Sequence, residues 1–127
     1  LRLLKAIDAA GREQGKRVNV LLEVNVSGEA AKHGFDPDEL ASVIDKVAGH
    51  AFVSVHGLMC MAGLAGGMAD AQREFELLKQ LQEKHQSESP GNVDLNELSM
   101  GMSGDFEIAI KAGATMVRVG SSLFEGI

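Results

Sequence analysis

The chain has 127 residues, 24% of them charged and 45% apolar, with a formal net charge of −6 at pH 7. That suits one ordinary soluble domain with enough apolar residues for a core of its own, and the acidic balance argues against a nucleic-acid partner met through a basic surface. With no Tyr and no Trp, chemistry that needs a Tyr base or nucleophile is excluded for this chain alone.

Leu3, Leu4 and Ile7 recur at helical spacing before Gly11 and Gly15. Val18 to Val26 then alternates and is rich in β-branched residues, which predicts a strand. Ser27 to Gly34 is a polar, glycine-bearing loop. Asp36 and Pro37 suit an N-cap and the first helical position, and Leu40, Val43, Ile44 and Val47 give the following helix an apolar stripe up to Gly49. A second strand runs from Phe52 to Leu58, followed by a Gly- and Met-rich loop to Met68. A long helix from Ala69 to His85 turns Phe75, Leu78 and Leu81 inward. A third strand covers Val93 to Leu98, and Ser99 to Gly104 makes a turn. A short helix from Asp105 to Ala112 is expected to bury Phe106, Ala109 and Ile110. A fourth strand spans Thr115 to Val119, and Gly120-Ser121-Ser122 opens a further helix.

Strands alternating with helices predict parallel βαβ units with right-handed crossovers. No spaced-glycine dinucleotide fingerprint follows the first strand. A (β/α)₈ TIM barrel needs roughly 250 residues. The expected fold is therefore the C-terminal half of such a barrel: residues 1–127 as four βα units with parallel strands. A small, complete flavodoxin-like sheet is the alternative. Because the chain starts at Leu1 without a signal-peptide pattern, it reads as a piece of something longer. Four strands alone would leave two edges and an apolar inner face exposed, so self-association through those edges is expected.

In parallel α/β folds, function collects at the carboxyl ends of the strands. Ser99-Met100-Gly101-Met102-Ser103-Gly104-Asp105 places hydroxyls at both ends of a glycine turn leading into a helix. Such a turn suits a phosphate, because glycine allows close backbone approach and the first helical amides lack internal partners. Ser103 alone is better explained as an N-cap. Gly120-Ser121-Ser122 repeats the pattern at the next strand end, although Ser122 and Glu125 also fit a capping box. Arg118 sits between Val117 and Val119 in a short apolar strand, where a cation needs a partner. That partner is either a carboxylate, such as Glu97 or Glu23, or a bound ligand.

Other chemistry-bearing residues carry plainer readings. His56, between Val55 and Gly57, suits a hydrogen-bonded core position, and nothing around it has metal-ligand spacing. Cys60 is the only cysteine, so no internal disulfide or cysteine zinc cluster forms, and a buried thiol in a reducing, cytoplasmic compartment is expected. Lys32 and His33 lie in a polar loop where solvation is the default. Met59, Met61 and Met68 read as packing. No apolar run approaches the roughly 20 residues of a membrane span.

Together these segments resemble the pyridoxal phosphate homeostasis proteins. The resemblance is carried by Val24 to Glu29, Lys32-His33-Gly34, Gly57-Leu58-Met59, Glu97 to Ser103 and Met116 to Ser121, in order along nearly the whole chain. The resemblance implies a (β/α)₈ barrel like the N-terminal domain of alanine racemase, with pyridoxal 5′-phosphate at the carboxyl end of its strands. It implies that Ser99, Gly101 and Ser103, with Gly120 and Ser121, hold the phosphate. It further implies that Arg118 faces the pyridine nitrogen and weakens the ring as an electron sink. The function implied is that of a non-catalytic carrier in intracellular vitamin B6 homeostasis, with the small-molecule cofactor as partner and no catalytic residue, metal or membrane. The alternatives are a fold-type III pyridoxal phosphate racemase or decarboxylase, and a phosphate-binding half of an unrelated TIM-barrel enzyme. The family's Schiff-base lysine lies on an early strand outside this chain, so no native Schiff base is expected here. The ending Phe124-Glu125-Gly126-Ile127 departs from the family's usual Phe-Gly.

Overall fold

β-Branched alternation from Val18 onward produces the first strand, β1 (Val18–Glu23), after a helix, α1 (Arg2–Gln14). A 3₁₀ turn at Pro37–Glu39 leads into α2 (Leu40–Val47). The remaining elements are β2 (Val53–Met59), α3 (Gly67–Gln86), β3 (Val93–Ser99) and α4 (Phe106–Ala112). This is a computed structural model, and it describes residues 2–28, 33–62, 67–87 and 89–120. Lys32, Ser121 and Ser122, and the Phe124 to Ile127 ending, lie outside the described residues.

The strands form one parallel sheet in the order β1-β2-β3. Val18 pairs with Val53 and Leu22 with Leu58, and the register shifts where Val20–Val55 gives way to Leu21–Gly57. The β2–β3 register shifts at the same place on β2, between the pairs Val55–Val93 and Gly57–Glu97. His56 is therefore skipped on both sides. Gly57 is required there, because a Cβ would come within 1.9 Å of the Glu97 carbonyl oxygen. Leu95 falls inside the slip. Its N–H donates to Gln86 Oε1 at 2.6 Å, and its carbonyl accepts from Gln82 Nε2 at 2.6 Å, so two α3 side chains satisfy it.

The core lies between the helices and one face of the sheet. Val53, Val55, Leu58, Leu95 and Leu98 from the strands are fully buried with Leu40 and Val47 of α2 and Phe75 and Leu78 of α3. Asn92 ties the bottom of the sheet to the end of α2, its Nδ2 donating to the carbonyls of Val47, His50 and Val53. Asp36 starts the 3₁₀ turn, and its N–H donates to Glu39 Oε1 at 3.1 Å.

Several expectations change. The opposite face of the sheet is largely polar rather than apolar: Asn19, Ser54, His56, Asp94 and Asn96 lie on it, with Leu21 and Met59 half-buried. His56 is exposed and bonds Ser54 Oγ at 3.2 Å, so it is not a core residue. Ile110 is 54% exposed, and Ile108 and Ala112, four residues apart, pack in its place. Leu3 also points outward, leaving Leu4 and Ile7 against the core. The fourth strand is reduced to one parallel bridge, Ser99–Met116.

Candidate functional site

The carboxyl ends of β2 and β3 open onto a cleft of about 480 Å³, a size that suits a small-molecule ligand. Met102, Ser103, Gly104 and Asp105 form one wall, Arg118 and Gly120 another, and Ala62, Gly67, Met68 and Ala71 the third.

The first wall is a turn closed from both sides. The Asp105 N–H donates to the Met102 carbonyl at 3.2 Å, and the Met102 N–H donates to Asp105 Oδ1 at 2.7 Å. Gly101 lets this turn leave the strand. Its φ is +104°, and a Cβ would sit 2.7 Å from Ala109 Cβ. Ser99 lies below, buried, with its carbonyl accepting the Cys60 N–H at 3.1 Å.

The second wall runs beside the first. The Arg118 N–H donates to the Gly101 carbonyl at 2.9 Å, and the Gly120 N–H donates to Ser103 Oγ at 3.1 Å. The two glycine-and-serine corners are thus hydrogen-bonded to one another. Arg118 lies on the cleft between them. Its Nη2 donates to the Cys60 carbonyl at 2.6 Å, while its Nε is buried with no hydrogen-bond partner among the described residues. Neither carboxylate considered from sequence takes it: it forms no ion pair among the described residues, and Glu97 bonds Thr115 instead.

Cys60 is fully buried, and burial pushes its thiol from 9.0 up to about 12, against the opposing pull of Arg118. It contributes its backbone carbonyl, and its thiol stays protonated.

Of the residues singled out from sequence, Ser103, Arg118 and Gly120 line the cleft, and Ser99 and Gly101 support it from beneath. Met68, expected to pack, is 55% exposed and lines the mouth. His33 is exposed in its loop, and His56 is away from the cleft lining. Sequence reasoning missed Asp105 as a cleft residue and missed the apolar wall of Ala62, Met68 and Ala71. Asp105 carried a signal, an Asp three residues after Met102 at a helix start, and the apolar wall carried none. Among the described residues no lysine lines the cleft, and no group of His, Cys, Asp and Glu can hold a metal ion. No described helix is long and apolar enough to cross a membrane.

Comparison with known proteins bears on the family and the fold. A pyridoxal phosphate homeostasis protein from Aquifex aeolicus is 42% identical over 106 residues, covering 84% of this chain and 46% of that protein. A crystal structure of an unknown protein from Bifidobacterium adolescentis superposes with a TM-score of 0.89 at 36% identity, over 97% of this chain and 49% of that one. PipY of Synechococcus elongatus, solved with PLP bound, superposes with a TM-score of 0.86 at 32% identity, over 97% of this chain and 56% of that one. The chain spans about half the length of the curated relatives it matches, and it folds as half of a (β/α)₈ barrel. The model of the alanine racemase N-terminal domain matches residues 1–126, and the chain belongs to that family.

Proposed function

We propose that this chain supplies the phosphate-holding side of a pyridoxal 5′-phosphate site and serves as a non-catalytic carrier of that cofactor. The observation that carries the reading is the bond from the Gly120 N–H to Ser103 Oγ, which joins the two corners at one cleft. In this reading Ser103, Gly120 and Ser121 meet the phosphate, with Ser99 and Gly101 setting their backbone. Arg118 meets the ring nitrogen, where its charge disfavours protonation of that nitrogen. Bound there, the cofactor would bring an aldehyde and an electron-accepting ring, and the guanidinium would blunt the second.

The carrier reading is favoured over an enzyme because, among the described residues, the cleft lining includes no Tyr, Lys, His or thiol, and its one carboxylate, Asp105, accepts the Met102 N–H. A cytoplasmic setting suits the lone reduced thiol of Cys60. Self-association would run through β1, which ends the sheet.

The test is a titration of the chain with pyridoxal phosphate and, separately, with inorganic phosphate, followed by the amide signals of Gly104 and Gly120. Both ligands should move both amides. Ser103→Ala should weaken both ligands, and Arg118→Gln should weaken pyridoxal phosphate alone. Pyridoxal phosphate that leaves both amides unmoved overturns the reading, and D-alanine produced from L-alanine by the loaded protein overturns the carrier role.

A further inference from the structure

We infer that Glu97 and Thr115 form a latch that sets the register of the segment carrying Arg118 and Gly120. This rests on the reading that these two residues serve the cofactor cleft. The segment from Ala114 to Gly120 runs along β3, yet its regular pairing is the single Ser99–Met116 bridge. None of its residues is fully buried, and Thr115, Met116 and Gly120 are exposed. Parallel neighbours take their register from the apolar pattern where one face is buried, and only weakly elsewhere. A slip by two residues would keep every side chain on its own face. It would also remove Arg118 from the Cys60 carbonyl and Gly120 from Ser103.

Side-chain hydroxyls stand at both ends of this pairing. In the middle, backbone bonds run from the Thr115 and Met116 N–H groups to the Leu98 carbonyl, from the Met100 N–H to the Met116 carbonyl and from the Arg118 N–H to the Gly101 carbonyl. At the cleft end, Ser103 Oγ accepts the Gly120 N–H. At the far end, Thr115 Oγ1 accepts the Leu98 N–H at 2.8 Å, in the place of a backbone carbonyl. The hydroxyl proton of Thr115 is donated to Glu97 Oε2 at 2.6 Å, a short charge-assisted bond. With its proton committed to the carboxylate, the hydroxyl presents a lone pair to Leu98. Glu97 is itself fixed, because its backbone packs onto Gly57 of β2. The Gly57–Glu97 pair, where the β2–β3 register resumes, therefore dictates through one carboxylate and one hydroxyl where the guanidinium arrives. Glu97 and Thr115 are positioning residues that need not touch the ligand.

The experiment compares Thr115→Val, Thr115→Ser and Glu97→Ala with the parent chain. It measures amide hydrogen exchange at Arg118 and Gly120 without ligand, and affinity for pyridoxal phosphate. Thr115→Val and Glu97→Ala should speed exchange at both amides, give them a second set of signals, and weaken pyridoxal phosphate about tenfold. Exchange at Val55 and Leu58 should not change. Thr115→Ser, which keeps the hydroxyl, should behave as the parent. If Thr115→Val does not fold, Glu97→Ala decides, since its bond to Thr115 is exposed. Unchanged exchange at Arg118 and Gly120 in folded Glu97→Ala overturns the latch. Altered exchange in a chain whose parent binds no pyridoxal phosphate keeps the latch and overturns the cofactor reading.

Discussion

β2 and the segment from Ala114 to Gly120 both run beside β3, and they are held there by different forces. β2 brings Val53, Val55 and Leu58 fully into the core, under Phe75 and Leu78 of α3. The other segment brings no fully buried residue and is fastened by the hydroxyls of Thr115 and Ser103 and a few backbone bonds. Apolar burial gives β2 its stability, and it specifies shape only to the nearest favourable packing. Directional bonds add little net stability to the other segment, about 1 kcal/mol each, yet they fix where its groups stand. The guanidinium of Arg118, which lines the cleft, sits on the second kind of element.

That contrast can be broken at its strongest point first. Phe75→Ala should lower the unfolding free energy by about 3–5 kcal/mol, read by chemical denaturation, because Phe75 is fully buried. A loss below about 1 kcal/mol would mean that burial does not dominate beneath β2. Gly57→Ala should cost about 1–3 kcal/mol, since β3 must move away from the new methyl group. Ser103→Ala should cost only about 1 kcal/mol of stability by thermal melting, while its effect on phosphate affinity is the larger readout.

pH sharpens the same contrast. The Cys60 thiol is pushed up from 9.0 to about 12 by burial. Above pH 9 the unfolded chain releases this proton and the folded chain keeps it, so the stability it contributes is lost as pH rises through about 12. Denaturation midpoints should therefore fall from pH 9 upward, and Cys60→Ala should flatten that part of the profile. The smallest effect belongs to Leu3→Ser, within about 0.5 kcal/mol by denaturant titration, because Leu3 is 71% exposed.

Elements whose pattern is set by burial were legible in the sequence. β1, β2, β3 and α3 appear within a few residues of their predicted spans, because alternation and helical spacing record which side faces the core. The fourth strand was not legible as a bridge, since Thr115 to Val119 has strand-like composition whether or not a neighbour covers it. Ile110 misled for a related reason. In a seven-residue helix, an apolar residue next to Ala109 looks buried until the partner surface is known. At the site, Ser103, Arg118 and Gly120 were legible because glycine and hydroxyl corners at strand ends have a local signature. The Arg118–Cys60 bond joins residues 58 positions apart and has none.

The polar side of the sheet has a consequence for how the chain keeps company. Asn19, His56, Asp94 and Asn96 are exposed there, and Ser54 is half-buried beside them. Whatever comes to cover them must bring matching donors and acceptors, or leave water behind as a filling. An oily surface arriving by chance would strip these groups of hydration and gain nothing for it, so indiscriminate sticking on that side is penalised from the outset.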